Sequence, residues 1–198
     1  MSDYHVDKET LFIHEKIITN NYQVTSKIQD AFNNKFIWEN KSLLVKGTVI
    51  ITGGTGTLGN LFASFLKDKY PFIQCILVGR SNKADEILDI TNVNQLEILV
   101  QKYSSTLIGI IHAAGVLSDQ LFENWDWQES AKVYNVKAFS AQWLSKITKY
   151  IPLKFFIMCS SIASGLGNAG QSNYALANSV LDSISESNYK KGLLSTSI

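Results

Sequence analysis

With 198 residues, 45% of them hydrophobic and 18% charged, the chain can build one domain around a sizeable core and has the balance of a globular protein. A formal net charge of +1 removes the electrostatic case for a nucleic-acid or acidic-surface partner. The longest apolar run, 107–117, is too short to span a bilayer, and the acids in "MSDYHVDKETLF" exclude a signal peptide, so the expected location is cytoplasmic. Residues 1–46 read as a polar N-terminal extension, in which Ile28–Phe32 can form one helical turn or more. From Gly47 to the end, strands and helices alternate, which predicts an α/β fold of the Rossmann type: a doubly wound parallel sheet with helices on both faces.

The first strand, Val49–Thr52, runs into Gly54, Gly56 and Gly59 and then a helix over Leu58–Lys69, with apolar residues at Leu58, Leu61, Phe62, Phe65 and Leu66. A strand that breaks into G-x-G-x-x-G and opens a helix suits a dinucleotide, whose phosphates meet backbone N–H groups at the helix start. The same glycines also suit a plain turn. Candidate cofactor contacts here are Thr52, Gly53, Gly54, Thr55, Gly56, Leu58 and Gly59. The second strand, Cys75–Val78, leads to Arg80 and Ser81. In dinucleotide folds an acid at this position binds the ribose, while an arginine accepts a 2′-phosphate. Arg80 is the one arginine among 18 cationic residues, and its planar fork can grip a phosphate, so NADPH is the expected cofactor.

A third strand at Ile87–Leu88 follows after Ser81–Glu86 alone. Parallel neighbours normally need a helical crossover. Six residues span about 20 Å at most, enough to return along a short strand with no helix. Asp89, beside Ile90, is placed to accept from an adenine amine or to cap the helix Val93–Tyr103. After the strand Leu107–His112, the small residues Ala113, Ala114 and Gly115 allow either a close cofactor approach or a tight turn. A helix over Asp126–Thr148, with a break near Tyr134, precedes the strand Phe155–Cys159 and a last helix, Tyr174–Lys190. Pro71 and Pro152 fall where helices must stop. Cys75 and Cys159 read as buried small hydrophobes, and His5, His14 and His112 have no ligand spacing, so no metal site is expected.

The stretch "FIMCSSIASGLGNAGQSNYALANSVLDSI" ends a strand in serines and opens a helix at Tyr174, with Asn178 one turn on, on the same face. Ser161 precedes Tyr174 by thirteen residues. This spacing resembles the site of the short-chain dehydrogenases/reductases. Most of that superfamily has Tyr-x-x-x-Lys; here the fourth residue is Asn178. The ketoreductase domains of polyketide and fatty acid synthases exchange the two types, taking the lysine from the preceding helix. "WQESAKVYNVKAFSAQWL" supplies Lys137, 24 residues before Ser161, and "TGGTGTLG", "HAAGVLSD" and "GQSNYALAN" look like the same branch. Asn135 is a rival for the lysine's position, but it would leave the site without a cation.

The resemblance covers roughly Gly47–Ile198 and implies a ketoreductase-like NADP-binding domain. Its substrate would be a β-ketoacyl thioester on an acyl carrier protein, with other synthase domains as possible neighbours. Tyr174 would protonate the nascent alkoxide, Lys137 would favour the phenolate and bind the nicotinamide ribose, Ser161 would hold the carbonyl oxygen, and Asn178 would orient the lysine or a water. Of the family's stereochemical markers, the Trp class is opposed by Leu166, and Leu117-Ser118-Asp119 matches the other class in part. Three departures are expected: no second crossover helix, no cofactor-free half domain before residue 47, and an end at "GLLSTSI" inside the sixth strand, short of a last strand and lid. Without a lid, water stays in the site, and the open sheet edge invites aggregation or pairing, so the chain alone is expected to bind NADPH but to show little or no turnover. Two other readings stay open: a non-catalytic remnant that binds cofactor weakly or docks, and a sugar-nucleotide epimerase or dehydratase, which Ala175-Leu176-Ala177-Asn178 opposes.

Overall fold

A computed structural model describes residues 45–198. The expected extension, with its segment at Ile28–Phe32, lies outside the described residues except for its last two positions. Six parallel strands form one sheet in the order β3-β2-β1-β4-β5-β6. They are β1 (Gly47–Thr52), β2 (Ile73–Gly79), β3 (Glu86–Ile87), β4 (Leu107–His112), β5 (Phe155–Met158) and β6 (Ser195–Ser197). The crossover helices are α1 (Thr57–Lys69), α2 (Val93–Tyr103), the pair α3 (Trp127–Tyr134) and α4 (Ser140–Ile147), and α6 (Ser172–Lys190), with a short α5 (Ala163–Leu166) before the last. This is the doubly wound order, in which the chain reverses direction across the sheet between β1 and β4. Ligands of such sheets bind beyond the carboxyl ends of those two strands.

Central strands in this arrangement are covered on both faces, which explains their uninterrupted apolar runs. Val49, Ile50 and Ile51 of β1 and Ile110 of β4 are fully buried. Each such side chain stabilises the fold by about 1.5–3 kcal/mol relative to exposure. One large cluster joins Ile50, Ile76 and Ile110 to Leu96 and Leu99 of α2, Leu144 of α4 and Leu181 of α6. A smaller one joins Val133 of α3 and Ala138 to Ala177 of α6, with Tyr134 and Tyr174 packed on it.

The helix-less crossover is present. Residues 80–85 connect β2 to β3 without a helix, and the ladder pairs are Val78 with Glu86 and Gly79 with Ile87. Because β3 begins beside the penultimate residue of β2, the chain retreats by only about one strand residue. Asp85 makes the retreat fit: its N–H donates to Leu77 O at 2.9 Å and its Oδ2 accepts from Leu77 N–H at 2.8 Å. The carboxylate thus stands in for a strand carbonyl.

Several boundaries differ from expectation. β3 starts at Glu86 rather than Ile87, and α6 starts at Ser172 rather than Tyr174. The single-turn helix Phe122–Asn124 and α5 were not expected. The break foreseen near Tyr134 is a π-helical turn, Asn135–Phe139, between α3 and α4. Helical structure continues through it, because a π turn absorbs an extra residue without ending the helix. Asp89 does not cap α2: that N-cap is Asn92, whose side chain accepts from Gln95 N–H.

Candidate active site

The glycine turn lies directly against the loop after β4. Gly53 has φ of +65°, and a Cβ there would come within 2.7 Å of Ala113 O and of the Ala114 backbone. Ala113 N–H in turn donates to Thr52 O at 3.1 Å. Of the three motif glycines, two are demanded by packing. A Cβ on Gly54 would lie 2.8 Å from Leu77 of β2, and one on Gly59 would lie 2.4 Å from Gly53 O. Gly56 is exposed and is the N-cap of α1, which carries no side-chain cap and no acid in its first turn. A bare, uncapped helix start above the switch point fits a pyrophosphate.

Thr52 and Ile90 are buried, as are Gly54, Gly59 and Ala114. Thr52 is fully buried with its hydroxyl on His112, and Ile90 belongs to the main core. Exposed Arg80 follows β2, and half-buried Ser81 accepts at its Oγ from Lys83 N–H at 3.0 Å. Asp89 accepts from Thr91 N–H at 2.9 Å and from Thr91 Oγ1 at 2.8 Å. The Thr91 backbone bond chiefly holds the Asp89 carboxyl below its usual range, against some desolvation, with the Arg80 charge adding a little.

Beyond β4 and β5 opens a cleft of about 210 Å³. Leu58, Ala113, Ala114, Gly115, Lys137 and Tyr174 line it. Sequence reasoning missed further wall residues, among them Cys159 and Ser160, which carry no motif signal of their own. Lys137 sits on the π turn at 3% exposure, whereas its rival Asn135 is exposed. The Lys137 Nζ donates to Cys159 O and lies 5.2 Å from the centroid of the Tyr174 ring. Burial pushes the Lys137 ammonium down to about 8, opposed by Cys159 and Asp182. The small Ala138 and Ala177, both fully buried, let the π turn approach α6 closely enough to set this pair side by side.

The other two expected residues, Ser161, half-buried just after the wall residues Cys159 and Ser160, and Asn178, are not among those that line the cleft. Ser161 Oγ accepts from Ala163 N–H at 3.2 Å, which leaves its own proton available. Asn178 is fully buried, and its Nδ2 donates to Tyr174 O at 2.8 Å. Its Oδ1 has no hydrogen-bond partner among the described residues. An orphaned buried acceptor is costly, about 1–3 kcal/mol, and suits a site completed by a donor when in use. The loop after β4 is tied to the start of α6 by Asn173 Nδ2 donating to Ser118 O at 2.7 Å and Gln171 Nε2 donating to Asp119 Oδ2 at 3.0 Å. Among the described residues, no helix is long and apolar enough to cross a membrane, and no group of three or more His, Cys, Asp or Glu could hold a metal ion.

Residues 86–198 match the KR domain family. The chain is 34% identical over 166 residues to erythronolide synthase EryA2 of Saccharopolyspora erythraea, which covers 74% of this chain and 5% of that protein. It is 34% identical over 157 residues to polyketide synthase PksN of Bacillus subtilis, covering 69% of this chain and 3% of that one. Among solved structures it resembles an N-terminal ketoreductase from the macrolactin assembly line, with a TM-score of 0.69 and 31% identity over 81% of this chain and 38% of that one. A ketoreductase domain from the bacillaene assembly line gives a TM-score of 0.69 and 30% identity, over 77% and 43%.

Proposed function

The chain belongs to the KR-domain family of the polyketide synthases, and on that premise we propose that it reduces a β-ketoacyl thioester, carried by an acyl carrier protein, to the β-hydroxyacyl thioester with NADPH. The observation that carries the proposal is Lys137, a buried ammonium 5.2 Å from the Tyr174 ring at the wall of the switch-point cleft. A bound nicotinamide would supply the hydride. The Ser161 hydroxyl donates to the ketone oxygen and holds it. Tyr174 passes its proton to that oxygen as negative charge develops there. The Lys137 ammonium stabilises the phenolate that remains, because an opposite charge nearby favours the ionised form. Asn178 fixes the Tyr174 turn of α6 through the Tyr174 carbonyl. Arg80 and the uncapped start of α1 take the phosphates.

The test is loss of NADPH absorbance with a β-ketoacyl thioester, in the parent protein and in Tyr174→Phe. The same thioester is offered to both proteins at high enzyme concentration, because reduction by the parent is expected to be slow. In Tyr174→Phe it should fall by at least about a hundredfold, the usual worth of a positioned general acid, with nucleotide binding nearly unchanged. A Phe variant that kept the parent rate would remove Tyr174 from the chemistry.

A further inference from the structure

His112, the last residue of β4, is fully buried and lies outside every role assigned above. Its Nε2 is 2.9 Å from the carbonyl oxygen of Lys137, and its Nδ1 is 2.7 Å from Thr52 Oγ1 at the end of β1. A carbonyl can only accept, so Nε2 carries the proton and Thr52 donates to Nδ1. The third neighbour, Ser140 Oγ, stands 3.4 Å from Nε2 and gives its own proton to Val136 O. Burial pushes the imidazole down to about 4, helped by the Lys137 charge and opposed by the bond to the Lys137 carbonyl, so the ring is neutral at working pH.

The carbonyl it holds belongs to the π turn. Such a turn has an extra residue in its ring, and reverting to α geometry would turn its own residues, Lys137 among them, by up to one residue's rotation, about 100°. Lys137 would then carry its ammonium off the Cys159 carbonyl and away from the Tyr174 ring. We propose that His112 is a positioning residue: through the Lys137 carbonyl it locks the π turn in register, so that the ends of β1 and β4 set where the ammonium stands. This rests on the reading of Lys137 as the cation of the site.

The experiment titrates the Lys137 ammonium by NMR in protein labelled at lysine Cε, with its signal identified by its loss in Lys137→Met. The parent should titrate near the value of about 8 that burial gives. In His112→Leu, with neither donor nor acceptor, the midpoint should rise by about one unit or more as the ammonium reaches water. His112→Gln, whose amide offers a donor and an acceptor at similar spacing, should stay within about half a unit of the parent. A folded Leu variant with an unmoved midpoint, or a Gln variant that shifts as far as Leu, overturns the proposal. Should His112→Leu fail to melt cooperatively, the imidazole 15N spectrum of the parent decides: an Nε2–H ring supports the lock and an Nδ1–H ring overturns it. No nucleotide or ketone enters these measurements. Absence of ketone reduction would therefore sink the proposed function alone, and an unmoved lysine titration would sink this inference alone.

Discussion

Lys137 is the residue at which stability and chemistry pull in opposite directions. Its pKa is lowered from 10.5 to about 8 because folding takes the ammonium out of water. Below pH 8 both folded and unfolded chains carry the proton, and the full desolvation cost is present. Between about 8 and 10.5 only the unfolded chain does, so stability rises with pH across that window. Lys137→Met removes the buried charge and leaves the Cys159 carbonyl without its donor. The first effect is worth up to about 3 kcal/mol and the second costs about 1 kcal/mol. The variant should therefore melt higher than the parent at pH 7, show no gain across the alkaline window, and reduce no ketone. Thermal melts at pH 7 and pH 10 measure it, and a Met variant that melts lower than the parent at pH 7 would contradict the cost ascribed to burial.

Among the elements, the shortened crossover shows how side chains replace a missing helix. Asp85 pairs with both polar groups of Leu77. Glu86 of β3 accepts at Oε1 from Lys102 and from the Tyr103 hydroxyl at the end of α2. Asp85→Ala leaves Leu77 N–H to water and should cost about 0.5–1.5 kcal/mol, whereas Asp85→Asn, which keeps an acceptor, should cost less. Urea denaturation of the two variants separates the cases, and equal losses would refute the strand-mimic role. The Glu86 carboxyl is held below its usual range, first by the Lys102 hydrogen bond and then by that of Tyr103. Its contribution is present above the ordinary glutamate pKa and fades as pH falls through the lower folded value. The missing helix was legible in the sequence because too few residues separate Arg80 from Ile87, and the glycine turn was legible because backbone contact at Gly54 and Gly59 leaves no room for a side chain. Lys137 was reached through a motif and the site's need for a cation, and its burial, against the exposure of Asn135, sets it apart in the structure. The π turn was not legible, since apolar spacing does not distinguish one ring size from another. Nor was His112, whose partners lie 60 and 25 residues away in the chain.

For the molecule as a whole, the sheet divides the labour at its switch point. The strands β1, β2 and β3 carry the glycine turn, Arg80 and Asp89, while β4, β5 and the helices beyond them carry Lys137, Ser161, Tyr174 and Asn178. The two halves should respond separately to change. NADPH should raise the parent's melting temperature more than NADH at equal concentration, and Arg80→Ala should erase the difference while leaving Tyr174-dependent reduction at saturating nucleotide largely intact. Stabilisation by a bound ligand is about 2.7 kcal/mol at a hundred times its dissociation constant, so a melting series reads the preference directly. Equal shifts by both nucleotides in the parent would refute the phosphate role of Arg80. The two halves also differ in how firmly they are held. Where β1 pairs along its whole length with β2 and from Thr48 onward, with one register shift, with β4, β3 holds to β2 through two residue pairs. Amide protons from Arg80 to Asp89 should therefore exchange with solvent through small local openings, while those of Val49–Thr52 wait for global unfolding. On this prediction, a nucleotide whose phosphate rested on Arg80 would have to still that segment before it was held. Part of its binding energy would go into quieting the edge of the sheet, and the gain in protection at residues 80–89 on adding NADPH would measure how much.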